Sequence, residues 1–171
     1  RVLTLEPDVD PFQDDPKQVV VSSRKNRITL DLEKEASTLG SLSYLLKRED
    51  PDLIITSNGD TWLLPLLLKL SKKHNLPLPL NRDPDGEIAY RKARSYFAYN
   101  QVIYRGQQVH LAGRLHLDVK NTVMYHDYGV DGVLEMARVT SLPIQTAARV
   151  SPGTGISAMQ IVTALENEIL V

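Results

Sequence analysis

Carboxylates near the ends of predicted strands are the first candidates for chemistry. Glu6 ends an alternating apolar segment, Asp60 follows Asn58 and a glycine, and Asp118 ends a later alternating segment. Carboxylate oxygens of this kind bind hard divalent cations such as Mg²⁺. Each residue also has a simpler interpretation: Glu6 as a solvated surface group, Asp60 as a helix N-cap, and Asp118 as the acceptor of a structural hydrogen bond. Their positions favour the simpler interpretations.

A second candidate is a segment in which basic residues are interleaved with tyrosines. Arg91, Lys92 and Arg94 are followed by Tyr96 and Tyr99. Aromatic rings stack on bases and cations follow phosphates, so this composition suits single-stranded DNA. The alternative is an exposed strand edge that is protected by charge. We predict that these five residues contact DNA.

Composition limits the classes of protein that the chain can represent. Its 171 residues fit one domain, or one domain with an appendage, and its net charge of −1 gives no overall basic surface for nucleic acid. The chain has no cysteine, which excludes disulfides and thiolate metal sites and fits a reducing, intracellular compartment such as the prokaryotic cytoplasm and nucleoid. The longest apolar run, Leu63 to Leu68, is too short to span a membrane, so no membrane partner is expected. Both ends look like cuts, and we expect a fragment of a longer protein.

Periodicity predicts the elements that position these residues. Three alternating or β-branched segments at the start form a predicted antiparallel meander. Strand, helix, strand and helix then follow in the order that is typical of an α/β fold. The predicted segments are strands at Val2 to Glu6, Lys17 to Ser22, Asn26 to Leu32 and Leu53 to Thr56, helices at Glu35 to Arg48, Asp60 to His74, Asp131 to Val139 and Thr154 to Leu170, and a strand hairpin within Tyr96 to Val119 that turns at Tyr104 to Gln107.

Three segments together resemble family B DNA polymerases. Asp50 to Pro65, an apolar strand followed by Asn-Gly, an aromatic residue and an apolar helix, is similar to the family's second exonuclease motif. Gly113 to Asp118 resembles the strand before the third motif, and Ala137 to Thr154 is similar to the segment that links the exonuclease domain to the palm. The resemblance implies a ribonuclease H-like α/β fold. This fold has a mixed central sheet with flanking helices, here with a β-hairpin insertion and a C-terminal helical extension.

The resemblance fails at the residues that would carry the chemistry. It implies hydrolysis of a mispaired 3′ end by two divalent ions, which about four carboxylates hold. Glu6 matches one acid of the first motif, but Thr4 stands where that motif has Asp, and Leu63 replaces the catalytic Asp of the second motif. The region of the third motif contains Asp131, but no Tyr with an Asp four residues later. Asn58 either orients a nucleotide, as the resemblance implies, or caps the helix.

We therefore expect an exonuclease-like domain that has no catalytic residues and no metal site. The remains of such a metal site would be Glu6, Asp60, Asp118 and Asp131. No cofactor is expected, and Mg²⁺ would be needed only if the exonuclease or a polymerase palm were active. The expected partners are DNA, as a single-stranded 3′ end or a template, and the remaining domains of a DNA-directed DNA polymerase. Residues 1–140 would form the exonuclease-like domain, and residues 141–171 a helical linker toward the palm.

Two alternatives remain open. The first is an active 3′–5′ proofreading exonuclease whose metal ligands have moved to Glu6, Asp60, Asp118 and Asp131. The second is a non-catalytic α/β protein-interaction module, unrelated to DNA, that shares only a strand-Asn-Gly-helix turn with the family.

Overall fold

The central element is a five-stranded mixed sheet, seen in a computed structural model that describes residues 1–24, 26–98 and 100–169. The chain divides into two compact units, Arg1–Asp118 and Val119–Val171. The domain assignment at residues 140 and 141 stays a prediction. The elements of the first unit are β1 (Val2–Pro7), β2 (Gln18–Ser23), β3 (Arg27–Asp31), α1 (Glu35–Glu49), β4 (Leu53–Thr56), a π-helical turn (Gly59–Leu63), α2 (Leu64–His74), β5 (Ala89–Arg91), β6 (Arg94–Ala98), β7 (Gln101–Arg105), β8 (Gln108–His110) and β9 (Leu115–Asp118).

The strands of the central sheet lie in the order β3-β2-β1-β4-β9. β1, β2 and β3 form the predicted antiparallel meander, whereas β4 runs parallel to both β1 and β9. The mixed α/β sheet that the sequence predicts is therefore confirmed. The pairing places Leu5 of β1 beside Thr56 of β4, and Thr56 beside Asp118 of β9. Residues that are paired across neighbouring strands point to the same side of a sheet, so these three residues share one face.

That face carries the hydrophobic core. Leu3 and Leu5 of β1 are buried with residues of α1 and α2, whose leucines recur at helical spacing. Each fully buried leucine stabilises the fold by about 1.5–3 kcal/mol relative to an exposed one. α1 ends where Asp50 adopts a left-handed conformation with φ 39°, and Lys47 and Arg48 in its last turn complement the helix dipole.

Between α2 and β9 the chain forms two small sheets. β5 pairs with β8, and β6 pairs with β7 as an antiparallel hairpin. The predicted hairpin is therefore present, but its predicted turn at Tyr104 to Gln107 is wrong. β7 ends at Arg105 and leads into β8, which belongs to the other small sheet. Sequence alone could not separate the two sheets, because Gly106 and Gln107 form a connection as readily as a hairpin turn.

The second unit is helical and consists of α3 (Tyr125–Thr140), α4 (Ile144–Ala147) and α5 (Pro152–Glu166). The hydroxyl of Ser151 accepts a hydrogen bond of 3.3 Å from Thr154 N and so caps α5. Gly155 is buried against Met136 of α3, where a methyl group would collide with the methionine sulfur. The predicted C-terminal helical extension is confirmed. No helix within the described residues is long and apolar enough to cross a membrane.

Candidate functional site

A single turn of π-helix follows β4 at the segment that resembles the second exonuclease motif. The amides of Trp62 and Leu63 both donate to Asn58 O, at 3.0 and 2.9 Å. Asn58 itself has φ 57°, a left-handed conformation that asparagine tolerates better than most residues. Its side chain makes no capping hydrogen bond and is 5% exposed. Turns of π-helix frequently mark functional sites, and this one fixes the direction in which Asp60 and Leu63 point.

Asp60 reaches across to the neighbouring strands. It is 0% exposed, and its Oδ1 accepts a hydrogen bond of 2.7 Å from Val109 N in β8. Its own amide donates to Asp118 Oδ2 at 2.9 Å. The predicted N-cap role of Asp60 is therefore wrong, because the π-turn places its side chain beside β8 instead of over the first helical amides. The structural hydrogen bond predicted for Asp118 is present.

His116 completes this buried polar cluster. The imidazole is 0% exposed, and its Nδ1 donates to Val109 O at 2.8 Å, which fixes the tautomer because a carbonyl can only accept. Nε2 lies 2.8 Å from Thr56 Oγ1, and Nδ1 lies 3.5 Å from Asp60 Oδ1. Thr56 was not singled out by sequence reasoning, and no local pattern marks it, since only strand pairing brings it next to His116.

The positions of the first motif lie on the other side of the sheet. Thr4 and Glu6 alternate with Leu3 and Leu5 along β1, so they point away from the core face. Glu6 is exposed. Leu63, by contrast, is 0% exposed and belongs to the core together with Leu3 and Leu5. The structure therefore does not bring Glu6 together with Asp60 and Asp118.

Asp131, the fourth candidate ligand, is exposed on α3 in the second unit. In residues 1–24, 26–98 and 100–169, no three histidine or carboxylate side chains are arranged to hold a metal ion. The two buried carboxylates next to each other, Asp60 and Asp118, already accept hydrogen bonds from backbone amides. These hydrogen bonds indicate that the two carboxylates belong to a structural network and do not form a cation site.

Basic side chains meet at the base of the hairpin. Arg91, Lys92, Arg94 and Arg105 line a cavity of about 360 Å³, which we call the basic cavity. Arg94 and Arg105 are directly opposite each other in the β6–β7 pair. Arg105 was not among the predicted residues, because only the strand register shows that it faces Arg94.

Of the other predicted DNA-binding residues, Asn58 lies outside the basic cavity. Tyr96 is part of β6, and Tyr99 lies outside the described residues. Asn58 is buried in the π-turn and does not line the basic cavity. The cluster that the structure supports is therefore the four cations of the basic cavity.

A buried arginine anchors the strand that carries Asp118. Arg114 donates to the carbonyls of Pro79 and Leu80 at 2.9 and 3.2 Å, and to Asp50 Oδ1 at 3.1 Å. Burial lowers the pKa of the Arg114 guanidinium, and the hydrogen bond from Arg82 lowers the pKa of Asp50. These contacts hold the loop after α2 and the start of β9 against the segment that leads into β4.

The fold of the chain is similar to that of part of a solved polymerase structure. Over 96% of its length it matches the solved structure of a family B DNA polymerase from the hyperthermophilic archaeon Pyrobaculum calidifontis, with a TM-score of 0.59 and 16% identity, and it covers 29% of that chain. The predicted ribonuclease H-like arrangement is consistent with this match. No protein family model matches the sequence.

The chain is also similar in sequence to DNA polymerases. The chain is 30% identical over 105 residues to DNA polymerase 1 of Pyrococcus abyssi, which covers 59% of this chain and 12% of that protein. It is 33% identical over 96 residues to a DNA polymerase of Thermococcus litoralis, covering 53% and 5%, and 26% identical over 125 residues to one of Archaeoglobus fulgidus, covering 70% and 13%. The chain is thus similar over part of its length to archaeal DNA polymerases, as its motifs predict, and it spans about an eighth of the length of the Pyrococcus abyssi enzyme.

Proposed function

We propose that this chain serves as the exonuclease-type part of a family B DNA polymerase and guides single-stranded DNA without cleaving it. The observation that carries the proposal is the position of Leu63. The residue that stands in place of the second-motif Asp is fully buried in the apolar core, where no ion could reach it. DNA synthesis itself would be the work of other domains of the polymerase.

Electrostatics supports the absence of cleavage. Two divalent ions bring a charge of about +4 into a site, and they need several anionic oxygens within reach. On its face of β1, Glu6 has Thr4 for its neighbour instead of a second acid. Asp60 and Asp118 are on the core side, and the oxygens that accept from backbone amides are less available to a cation. One exposed carboxylate does not compensate for the desolvation of a metal pair.

The basic cavity supports DNA guidance. The backbone of a single strand carries one phosphate per nucleotide, and cations in a groove track it. Arg91, Lys92 and Arg94 are exposed and have no ion-pair partner among the residues that the structure describes. Their charge is therefore available to an external anion.

A nuclease assay tests the proposal. The chain would be incubated with a 5′-labelled single strand and Mg²⁺ or Mn²⁺, next to Glu6→Ala and the matched surface variant Glu33→Ala. We expect no metal-dependent shortening of the strand by any of the three proteins. Shortening by the unmodified chain and by Glu33→Ala, but not by Glu6→Ala, would establish an active exonuclease instead.

The active exonuclease is the second candidate, and one observation favours it. Asp60 and Asp118 lie side by side next to His116, which is a concentration of ionisable groups at the segment that resembles the second motif. If these residues held a metal, Asp60→Asn and Asp118→Asn would abolish cleavage while a Glu33→Ala control retained it.

The exposed apolar face of α5 supports a protein partner, which we propose to be the remaining domains of the polymerase. No charged residue occurs between Pro152 and Leu165. Ile161 and Leu165 are 45% and 68% exposed, and large exposed apolar surfaces usually mark interfaces. Ile161→Lys with Leu165→Lys should leave the thermal midpoint of the isolated chain unchanged and reduce its binding of a hydrophobic dye. Unfolding of this variant would show that the face is internal.

A further inference from the structure

Two adjoining cavities lie beside α1 at the edge of the sheet, away from the residues that form the basic cavity. The first, which we call the Tyr44 groove, has a volume of about 550 Å³. The second, which we call the hydroxyl cavity, has a volume of about 900 Å³. Asn26 and Arg48 line both of them, so the two cavities adjoin at these residues, and we refer to the pair as one depression. The Tyr44 groove is lined by Ile28, Gly40, Ser41, Tyr44, Leu45 and Arg48.

The Tyr44 groove offers an aromatic wall. The Tyr44 ring is 60% exposed, and the Arg48 guanidinium carbon is 5.4 Å from the ring centroid. Arg48 also donates to Glu49 Oε1, which holds the guanidinium in place beside the ring. Gly40 leaves the floor open, since a methyl group there would meet no atom within 4 Å. A planar aromatic ligand can therefore stack on Tyr44.

The hydroxyl cavity offers donors for an anion. Thr4, Ser22 and Ser23 contribute hydroxyl groups, and Arg24 and Arg48 contribute positive charge. Arg24 is exposed and has no ion-pair partner within the described part of the chain. Arg1 and Glu49 also line this cavity, and the single carboxylate among them is engaged by Arg48. The lining is therefore net positive.

We propose that this depression binds a nucleotide, with the base stacked on Tyr44 and the phosphate held by Arg24, Arg48 and the hydroxyl groups. An aromatic ring next to a cation is the arrangement on which bases stack, and the adjoining donors match a phosphate. The site shares no residue with the basic cavity and does not include Glu6, Asp60 or Asp118, but its hydroxyl cavity includes Thr4, which stands where the first motif has Asp. The ligand is either a free mononucleotide or one nucleotide of a single strand.

Isothermal titration calorimetry tests the site. The protein would carry Arg91→Ala and Arg94→Ala, so that the basic cavity contributes little to binding and a failure of one proposal is distinguishable from a failure of the other. Deoxyadenosine monophosphate, deoxyadenosine, inorganic phosphate and a short oligodeoxyadenylate would be titrated in turn. We expect a nucleotide to bind more tightly than either deoxyadenosine or phosphate alone, because the base and the phosphate are held at once.

Variants show where binding occurs. Loss of stacking in Tyr44→Ala should weaken nucleotide binding by about 5- to 150-fold. Gly40→Leu should fill the groove and abolish binding without loss of thermal stability, since leucine is a better helix former than glycine. Arg48→Ala should weaken binding, whereas Lys47→Ala, the matched control on the same helix, should not, because Lys47 lines neither cavity.

The outcomes distinguish a free nucleotide from a nucleotide of a single strand as the ligand. Binding of the monophosphate that Gly40→Leu abolishes identifies a free-nucleotide site, and binding of only the oligonucleotide with the same sensitivity identifies a strand site. The proposal is overturned if neither binds, if the monophosphate and oligonucleotide bind no tighter than phosphate or deoxyadenosine, or if Tyr44→Ala and Gly40→Leu bind as well as their parent protein.

Discussion

Removal of one charge from the basic cavity should change the salt dependence of DNA binding by a defined amount. Four cations line this cavity, and neutralisation of phosphates on a single strand gives a slope of about −0.7 per contact in a plot of log K against log salt. The unmodified chain should therefore show a slope of about −2.8 if all four contact phosphates. Between about 50 and 200 mM salt, its affinity should fall about 50-fold.

Arg94→Gln is the most informative substitution, because Arg94 faces Arg105 across the hairpin. The slope should become about −2.1, and the fall in affinity over the same salt range should shrink to about 20-fold. Arg94 is exposed and makes no ion pair among the described residues, so its replacement should not destabilise the fold. Binding should thus weaken while the fold becomes no less stable.

Fluorescence anisotropy of a labelled oligothymidylate, measured over a series of salt concentrations, provides the slopes. Lys69→Gln is the matched control, since Lys69 is exposed on α2 and does not line the cavity. An equal change of slope in Lys69→Gln and Arg94→Gln would show that the basic cavity is not where phosphates bind. Binding by the unmodified chain that does not depend on salt would show that its cations do not contact phosphates at all.

Three further substitutions test the fold around the site. Leu63→Asp should destabilise the chain by about 4 kcal/mol or more in urea titrations, because it buries a carboxyl group in the core, whereas a stable Leu63→Asp would contradict the burial. Gly59→Ala should cost about 1–3 kcal/mol, because its methyl group would overlap the Thr56 side chain, while Gly40→Ala should cost nothing. The hydrogen bond from Lys73 lowers the pKa of Glu35, so the stability that this ion pair contributes is present above about pH 4.5 and is lost as the pH falls through the lowered value. Glu35→Gln should flatten that part of the pH profile of the thermal midpoint, and an unchanged profile would contradict the pairing.

Much of the sheet could be predicted from the sequence, because alternation fixes both the strand and the face that it buries. Leu3 and Leu5 alternate with Thr4 and Glu6, and the structure buries the leucines. The apolar run from Leu53 to Thr56 likewise predicts a strand buried on both faces, as β4 is. The sequence pattern was sufficient to predict these strands, because the alternation of apolar and polar residues shows which side chains of a strand are buried.

The site was less predictable, since its contacts join segments that are far apart in the chain. Asp60 is followed by an apolar helix and so resembles an N-cap, yet it bonds to Val109, 49 residues away. A π-turn has no sequence signature that would have shown this. Arg105 joins the basic cavity only through strand register, which a hairpin with a misplaced turn cannot provide.

We propose that the exonuclease-type site of this chain cannot hold a pair of divalent ions. Crystals soaked in manganese would test it directly, because anomalous scattering locates Mn²⁺ without reference to activity. We predict no paired peaks next to Glu6, Asp60 or Asp118. Two well-occupied ions about 4 Å apart that bind Glu6 would contradict the account, since that is the spacing of a working two-metal centre.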